Sequence, residues 1–165
     1  MIARLIFIRS IDYMNKKRKK MIMLASSVGE SMYPIIHNRD RLRIRIDSNV
    51  NYQIGDIVAY LRDGRLIAHR IIKIIKIGKR KIYYFKGDNN SGIDSYVKKK
   101  SILGKVEEII SSDSTIDLTN KRNTIIKYVM LLYSMFNLRY PMLFRIKKIY
   151  KVPIIRSIYS LMVEN

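Results

Sequence analysis

The sequence predicts a mainly β domain with a C-terminal helical appendage. Apolar residues recur with a period of two through the middle of the chain, and Asp63-Gly64 and Gly78-Lys79-Arg80 stand between such runs as turns. After Thr115 the spacing becomes helical.

Met1 to Ile8 is apolar but broken by Arg4, and the basic run Lys16, Lys17, Arg18, Lys19, Lys20 separates it from a second apolar stretch, Met21 to Ala25. Residues 1–26 are therefore expected to be a basic N-terminal segment outside the globular unit. Next, Leu42, Ile44 and Ile46 alternate with Arg41, Arg43 and Arg45, which gives a strand with one apolar and one basic face. Ile57 to Leu61 is nearly continuous apolar sequence, and beyond the Asp63-Gly64 turn Arg65 to Ile77 returns as a long strand. Lys81 to Phe85 and Ser101 to Ile110 complete a β-rich domain expected over residues 27–115. Residues 116–165 read as a basic, amphipathic helical tail. Within 123–138, Asn123, Lys127, Ser134 and Asn137 fall on one narrow helical stripe. Pro141 and Pro153 divide the remainder into two further short helical pieces.

The 165 residues, 48% of them apolar, suffice for one domain with a folded core. A formal charge of +20 calls for a polyanionic neighbour, either nucleic acid or an anionic membrane face. Residues 1–30 carry seven Lys or Arg against two acids and residues 121–165 nine against Glu164 alone, whereas 31–120 hold 17 against ten. The balanced middle is thus expected to hold the chemistry. With no cysteine and only His37 and His69, disulfides, thiolate sites and histidine-rich metal sites are excluded, and no cofactor or metal is expected. No run reaches the roughly 18 to 20 apolar residues of a transmembrane helix. Met21 to Ala25 is also too short for the apolar core of a secretory signal.

The chemistry begins at Gly29-Glu30-Ser31-Met32-Tyr33-Pro34. The bland reading is a turn; the functional one is a nucleophilic hydroxyl, with Pro34 fixing the chain behind it and Met32 filling a pocket wall. His69 shares a strand face with Ile67 and Ile71 and, taken alone, reads as a satisfied core histidine. Set against a serine, an imidazole, which ordinarily titrates near about 6.5, accepts the hydroxyl proton at neutral pH without the burial a lysine base requires. Gly87-Asp88-Asn89 is good turn chemistry. A carboxylate on the second imidazole nitrogen would fix the tautomer and stabilise the imidazolium. His37 reads as a loop residue.

The order of four blocks joins these residues: the serine block, Gly55-Asp56-Ile57-Val58-Ala59-Tyr60, Ile67-Ala68-His69-Arg70-Ile71-Ile72, and Phe85-Lys86-Gly87-Asp88-Asn89-Asn90 with Asp94 behind. From about Ser27 to Ile109 this arrangement resembles the signal peptidase I family. Histidine before Arg70-Ile71, together with the Gly-Asp-Asn-Asn string, is similar to its archaeal and endoplasmic-reticulum-type branch. The resemblance implies a signal-peptidase-like β catalytic domain that cleaves a signal, leader or pro-peptide from a precursor through an acyl-enzyme. It implies Ser31 as nucleophile, His69 as general base and Asp94 or Asp88 in support, with Asp94 slightly favoured as orienter and Asp88 as holder of the turn. Cleavage is expected after a small residue, with another small residue two positions earlier.

The chain departs from that pattern twice. Gly29 stands where the family often has a second hydroxyl, and the Gly-x-Ser-Met-x-Pro form resembles the related self-cleaving repressor peptidases. The oxyanion is then left to backbone N–H groups, that of Ser31 among them, with Ser27 as a substitute donor. The usual N-terminal anchor is also missing, so the substrate is expected to be the leader of a small precursor peptide or a precursor arriving at the cytoplasmic face of the membrane. The C-terminal tail is expected to bind an anionic membrane surface. No feature specifies an oligomeric state.

Two rival readings accompany this one. A self-cleaving regulator needs a DNA-binding unit, for which residues 1–26 are too short. A non-enzymatic nucleic-acid binder would use the Arg41, Arg43, Arg45 ladder on phosphates, but such a ladder is more often a solvated strand face, and nucleic acid is not expected as a partner.

Overall fold

The computed structural model describes residues 4–11, 21–94 and 96–140. The expected mainly β architecture is observed. Strands β1 (Arg4–Ile11), β2 (Met21–Val28), β3 (Arg41–Ile46), β4 (Ile57–Arg62), β5 (Arg65–Ile77), β6 (Arg80–Lys86), β7 (Val97–Lys98), β8 (Ile102–Ile110) and β9 (Thr115–Asp117) precede helix α1 (Lys121–Arg139). They form one sheet in the order β1-β2-β3-β8-β4-β5-β6-β7, with β9 paired to β8. Every pairing is antiparallel. β1, at one end of that order, also lies against β5, so the sheet curls strongly on itself.

Residues 1–26 differ from expectation. Two strands of the sheet, β1 and most of β2, come from this segment, with Met23 and Ala25 buried in the core. The basic run Lys16 to Lys20, and the helical pieces expected beyond Pro141, lie outside the described residues.

Alternation explains β3. Leu42 and Ile44 are fully buried, while Arg43 pairs with Glu108 and Arg45 Nη1 lies 3.0 Å from Glu107 Oε1 on β8. Two consecutive glutamates reach one face because the β3–β8 register shifts between Arg43 and Ile44, a bulge that sets Glu107 beside Glu108. Part of the arginine ladder is thus matched by carboxylates of the same sheet. The sheet carries two apolar clusters. One contains Met32, Leu42, Ile44, Ala68, Val106 and Ile109, joined by Ile126 and Met130 of α1; the other contains Val58, Tyr60, Ile67, Ile71, Tyr83 and Phe85.

Helix α1 packs with its polar stripe inward. Asn123 donates to the Asp117 carbonyl, Lys127 Nζ reaches Asp56 Oδ1 at 2.7 Å, and Asn137 Nδ2 donates to the Asp88 carbonyl at 3.0 Å. Ser134 Oγ accepts from Lys86 Nζ at 3.1 Å. The stripe read from the sequence is therefore the face that satisfies buried loop groups, whereas many surface helices turn an apolar stripe to the core.

Candidate active site

Central strand β5 positions His69. Residues 67–71 are buried on both sheet faces, and period two sends His69 toward the cluster of Tyr60, Ile71 and Phe85 while Ala68 joins the opposite cluster. Ser31 approaches from the loop after β2. Gly29, at φ 95°, turns the chain at the strand end in a region a side-chain-bearing residue rarely adopts. The loop then winds through a short turn in which the Ile35 and Ile36 amides both bond to the Met32 carbonyl, and Met32 anchors it in the core. The Tyr33–Pro34 peptide is cis.

A second loop fastens this one. Asn89 donates its backbone N–H to the Ser31 carbonyl at 2.8 Å and its side-chain amide to the Glu30 carbonyl at 3.1 Å. Gly87 permits the approach, since a Cβ there would sit 2.7 Å from the Ser31 carbonyl oxygen. Inner-face residues of α1 hold the other side of this loop through Asp88 and Lys86.

The assembled groups form a chain. Ser31 Oγ lies 2.8 Å from His69 Nε2, and His69 Nδ1 lies 2.5 Å from Asp94 Oδ2. Ser31 is 2% exposed and His69 0%. The Tyr60 hydroxyl donates to Asp94 Oδ2 at 2.7 Å, and Arg62 Nη1 lies 3.3 Å from Asp94 Oδ1. Burial alone would raise the Asp94 pKa, but the contact with His69, the Tyr60 hydrogen bond and Arg62 outweigh it and hold the carboxyl below its usual range. Burial first, and then the Asp94 charge, push the Tyr60 phenol well up, so it remains a donor. An ionised Asp94 only accepts, which assigns the proton to Nδ1 and leaves Nε2 as acceptor for the Ser31 hydroxyl.

Asp88 is placed elsewhere. Its fully buried carboxylate takes a forked ion pair from Arg70, with Nε 2.9 Å from Oδ1 and Nη2 2.7 Å from Oδ2, while Arg70 Nη1 donates to the Gly55 carbonyl at 2.8 Å. Of the two aspartates, Asp94 meets His69 and Asp88 braces the loop. Ser27 does not serve as a spare donor, because its hydroxyl is committed to the His37 carbonyl at 2.5 Å. His37 lies in the loop, its backbone N–H bonded to Asp40 Oδ2 and its ring against Tyr33.

Tyr60 and Arg62 were not among the residues expected at the site. The signal for them was available: pairing across the Asp63-Gly64 turn sets Val58 opposite His69 and Tyr60 opposite Ile67. Period two then puts Val58, Tyr60 and Arg62 on the face of His69. Among the described residues, no group of three or more His, Cys, Asp or Glu side chains has the geometry to hold a metal ion. The contacts from Ser31 through His69 to Asp94 suit acid–base and nucleophilic chemistry by side chains.

A family model described as Peptidase S24-like matches residues 5–107, a span that contains Ser31, His69, Asp88 and Asp94. Comparison with curated proteins and with solved structures yields no match. The chain therefore belongs to the Peptidase S24-like family, and its function is of the serine-peptidase or self-cleaving-repressor type.

Proposed function

We propose that this protein is a serine endopeptidase that removes a signal, leader or pro-peptide from a separate precursor, with Ser31 as nucleophile, His69 as general base and Asp94 as the orienting carboxylate. The observation that carries this reading is the run of contacts from Ser31 Oγ through both nitrogens of the buried imidazole to Asp94. His69 Nε2 takes the hydroxyl proton as Ser31 Oγ adds to the scissile carbonyl, and Asp94 stabilises the imidazolium that forms. The imidazolium then gives the proton to the departing amine, which leaves an ester on Ser31. Water, deprotonated by the same nitrogen, hydrolyses that ester and restores the site. Backbone N–H groups near Ser31 serve the oxyanion.

The histidine base supports the archaeal and endoplasmic-reticulum-type reading, and with it cleavage after a small residue. Peptides from cells carrying the active protein or its Ser31→Ala variant, compared by mass spectrometry, test the assignment. The expected result is a precursor fragment that appears only with Ser31 intact and ends in a small residue. Identical peptide sets would refute it.

The Gly29-x-Ser31-Met32-x-Pro34 form favours a second reading, cleavage of the chain by its own site. It predicts that the purified parent protein shortens at a rate independent of concentration while Ser31→Ala stays intact.

A further inference from the structure

With the polar stripe of α1 turned inward, an apolar face is left outside. Ile125 and Leu132 are each 70% exposed and Tyr128 51%, with Val129 and Met135 also exposed. Positions 125, 128, 129, 132 and 135 recur at spacings of three and four, so they form one continuous surface along the helix. A patch of this kind marks an interaction site.

Charge selects its occupant. No Asp or Glu occurs from Leu118 to Val163, a stretch with nine Lys or Arg, of which Lys127 is turned inward to Asp56. At the helix end the Arg139 guanidinium lies 5.6 Å from the centroid of the Tyr140 ring, a cation beside an amphipathic aromatic as suits a headgroup layer. A second copy of this chain would bring another +20 and the same acid-free helix, so like charge opposes self-association. Nucleic acid would accept the charge but offers little to a surface of Ile, Leu and Val. An anionic bilayer matches both properties, with acyl chains for the apolar face and headgroups for the cations.

We propose that the outward face of α1 docks the protein peripherally on an anionic lipid surface. The helix lies on the bilayer rather than crossing it; among the described residues no helix is long and apolar enough to span a membrane. Docking leaves the inner face packed, so Ser134 and Asn137 keep their hold on the loop that fastens Ser31.

The test is co-sedimentation of the full chain with vesicles of phosphatidylcholine alone or mixed with phosphatidylglycerol. The expected result is binding to the mixed vesicles that weakens with added salt. The double variant Ile125→Ser, Leu132→Ser should lower the partition coefficient on the order of tenfold, because it removes apolar contact area while leaving the charge. Circular dichroism establishes that the variant is folded, which its exposed positions favour. Equal binding to both vesicle types, or undiminished binding by the folded variant, would overturn the proposal. So would concentration-dependent dimerisation that the variant abolishes, since the face would then belong to a second copy. Lipid binding is measured equally well with Ser31→Ala, so the result is independent of the peptidase assignment.

Discussion

His69 and Arg70 are consecutive on β5, both buried, and each meets one of two aspartates from the segment after β6, on opposite faces of the sheet. The two pairs do different work because their cations differ. A guanidinium presents a rigid, planar fork of donors, so Arg70 and Asp88 form a fixed brace that also ties Gly55. An imidazole has two ring nitrogens, so His69 bridges Asp94 and Ser31. One strand therefore carries a reactive pair on one side and a brace on the other. The brace holds the loop that fastens Ser31.

If this division is right, variants of the two pairs should fail in different ways. Ser31→Ala and His69→Ala should each lower kcat/KM by about 10⁴-fold or more, with losses that do not add because the two groups act as a unit. Urea unfolding of Ser31→Ala should be close to that of the parent, and the activity of His69→Ala should be read on its folded fraction, since that substitution empties a fully buried site. Asp94→Asn should cost about 10⁴-fold, since an amide no longer enforces the Nδ1–H tautomer. Its acid limb should change too. A carboxyl held below its usual range contributes stability that is present above the unfolded pKa, near about 4, and is lost as pH falls through the folded value. The difference in stability between parent and Asp94→Asn should therefore shrink on acidification through that window.

Asp88→Asn should show the opposite pattern, with stability falling by about 3 to 5 kcal/mol because Arg70 is left as a buried, uncompensated charge. Activity should be lost only in step with the folded fraction. An Asp88→Asn protein of parental stability but with no activity would break the comparison. A milder case is Tyr60→Phe: removing one hydrogen bond to a charged group should lower stability by about 1.5 kcal/mol and reduce kcat/KM by roughly tenfold, far less than Asp94→Asn.

Lys86 supplies a third case, a buried cation whose partners are the Gly87 and Asp88 carbonyls and the Ser134 hydroxyl. Burial lowers its pKa to about 8, against the attraction of Asp88. Between that value and 10.5 the unfolded chain holds the proton and the folded one does not, so stability rises with pH across this window. Relative to Lys86→Met, the parent should gain on the order of 1 kcal/mol between pH 7 and 9, read from urea midpoints.

The strands of the middle segment were legible because alternation and the Asp63-Gly64 turn report directly on burial. Ser31 and His69 were legible from the order of the blocks. Asp94 was only slightly favoured over Asp88, because both lie in the segment after β6 and only the fold shows which reaches which face of β5. β1 and β2 escaped recognition since a basic run interrupts them, and charge density outweighed a weak strand pattern. The orientation of α1 was hidden for a different reason. A polar stripe does not reveal whether water or buried loop carbonyls will satisfy it, and here Asp117, Asp88 and Asp56 do.

The central claim, that Ser31 is a nucleophile activated by His69 and Asp94, is tested most directly by covalent labelling with an alkyl fluorophosphonate, followed by intact-mass measurement and peptide mapping. The expected result is a single adduct on Ser31, formed much more slowly in Asp94→Asn and absent in His69→Ala. Labelling at another residue, or at Ser31 with undiminished rate in His69→Ala, would contradict it.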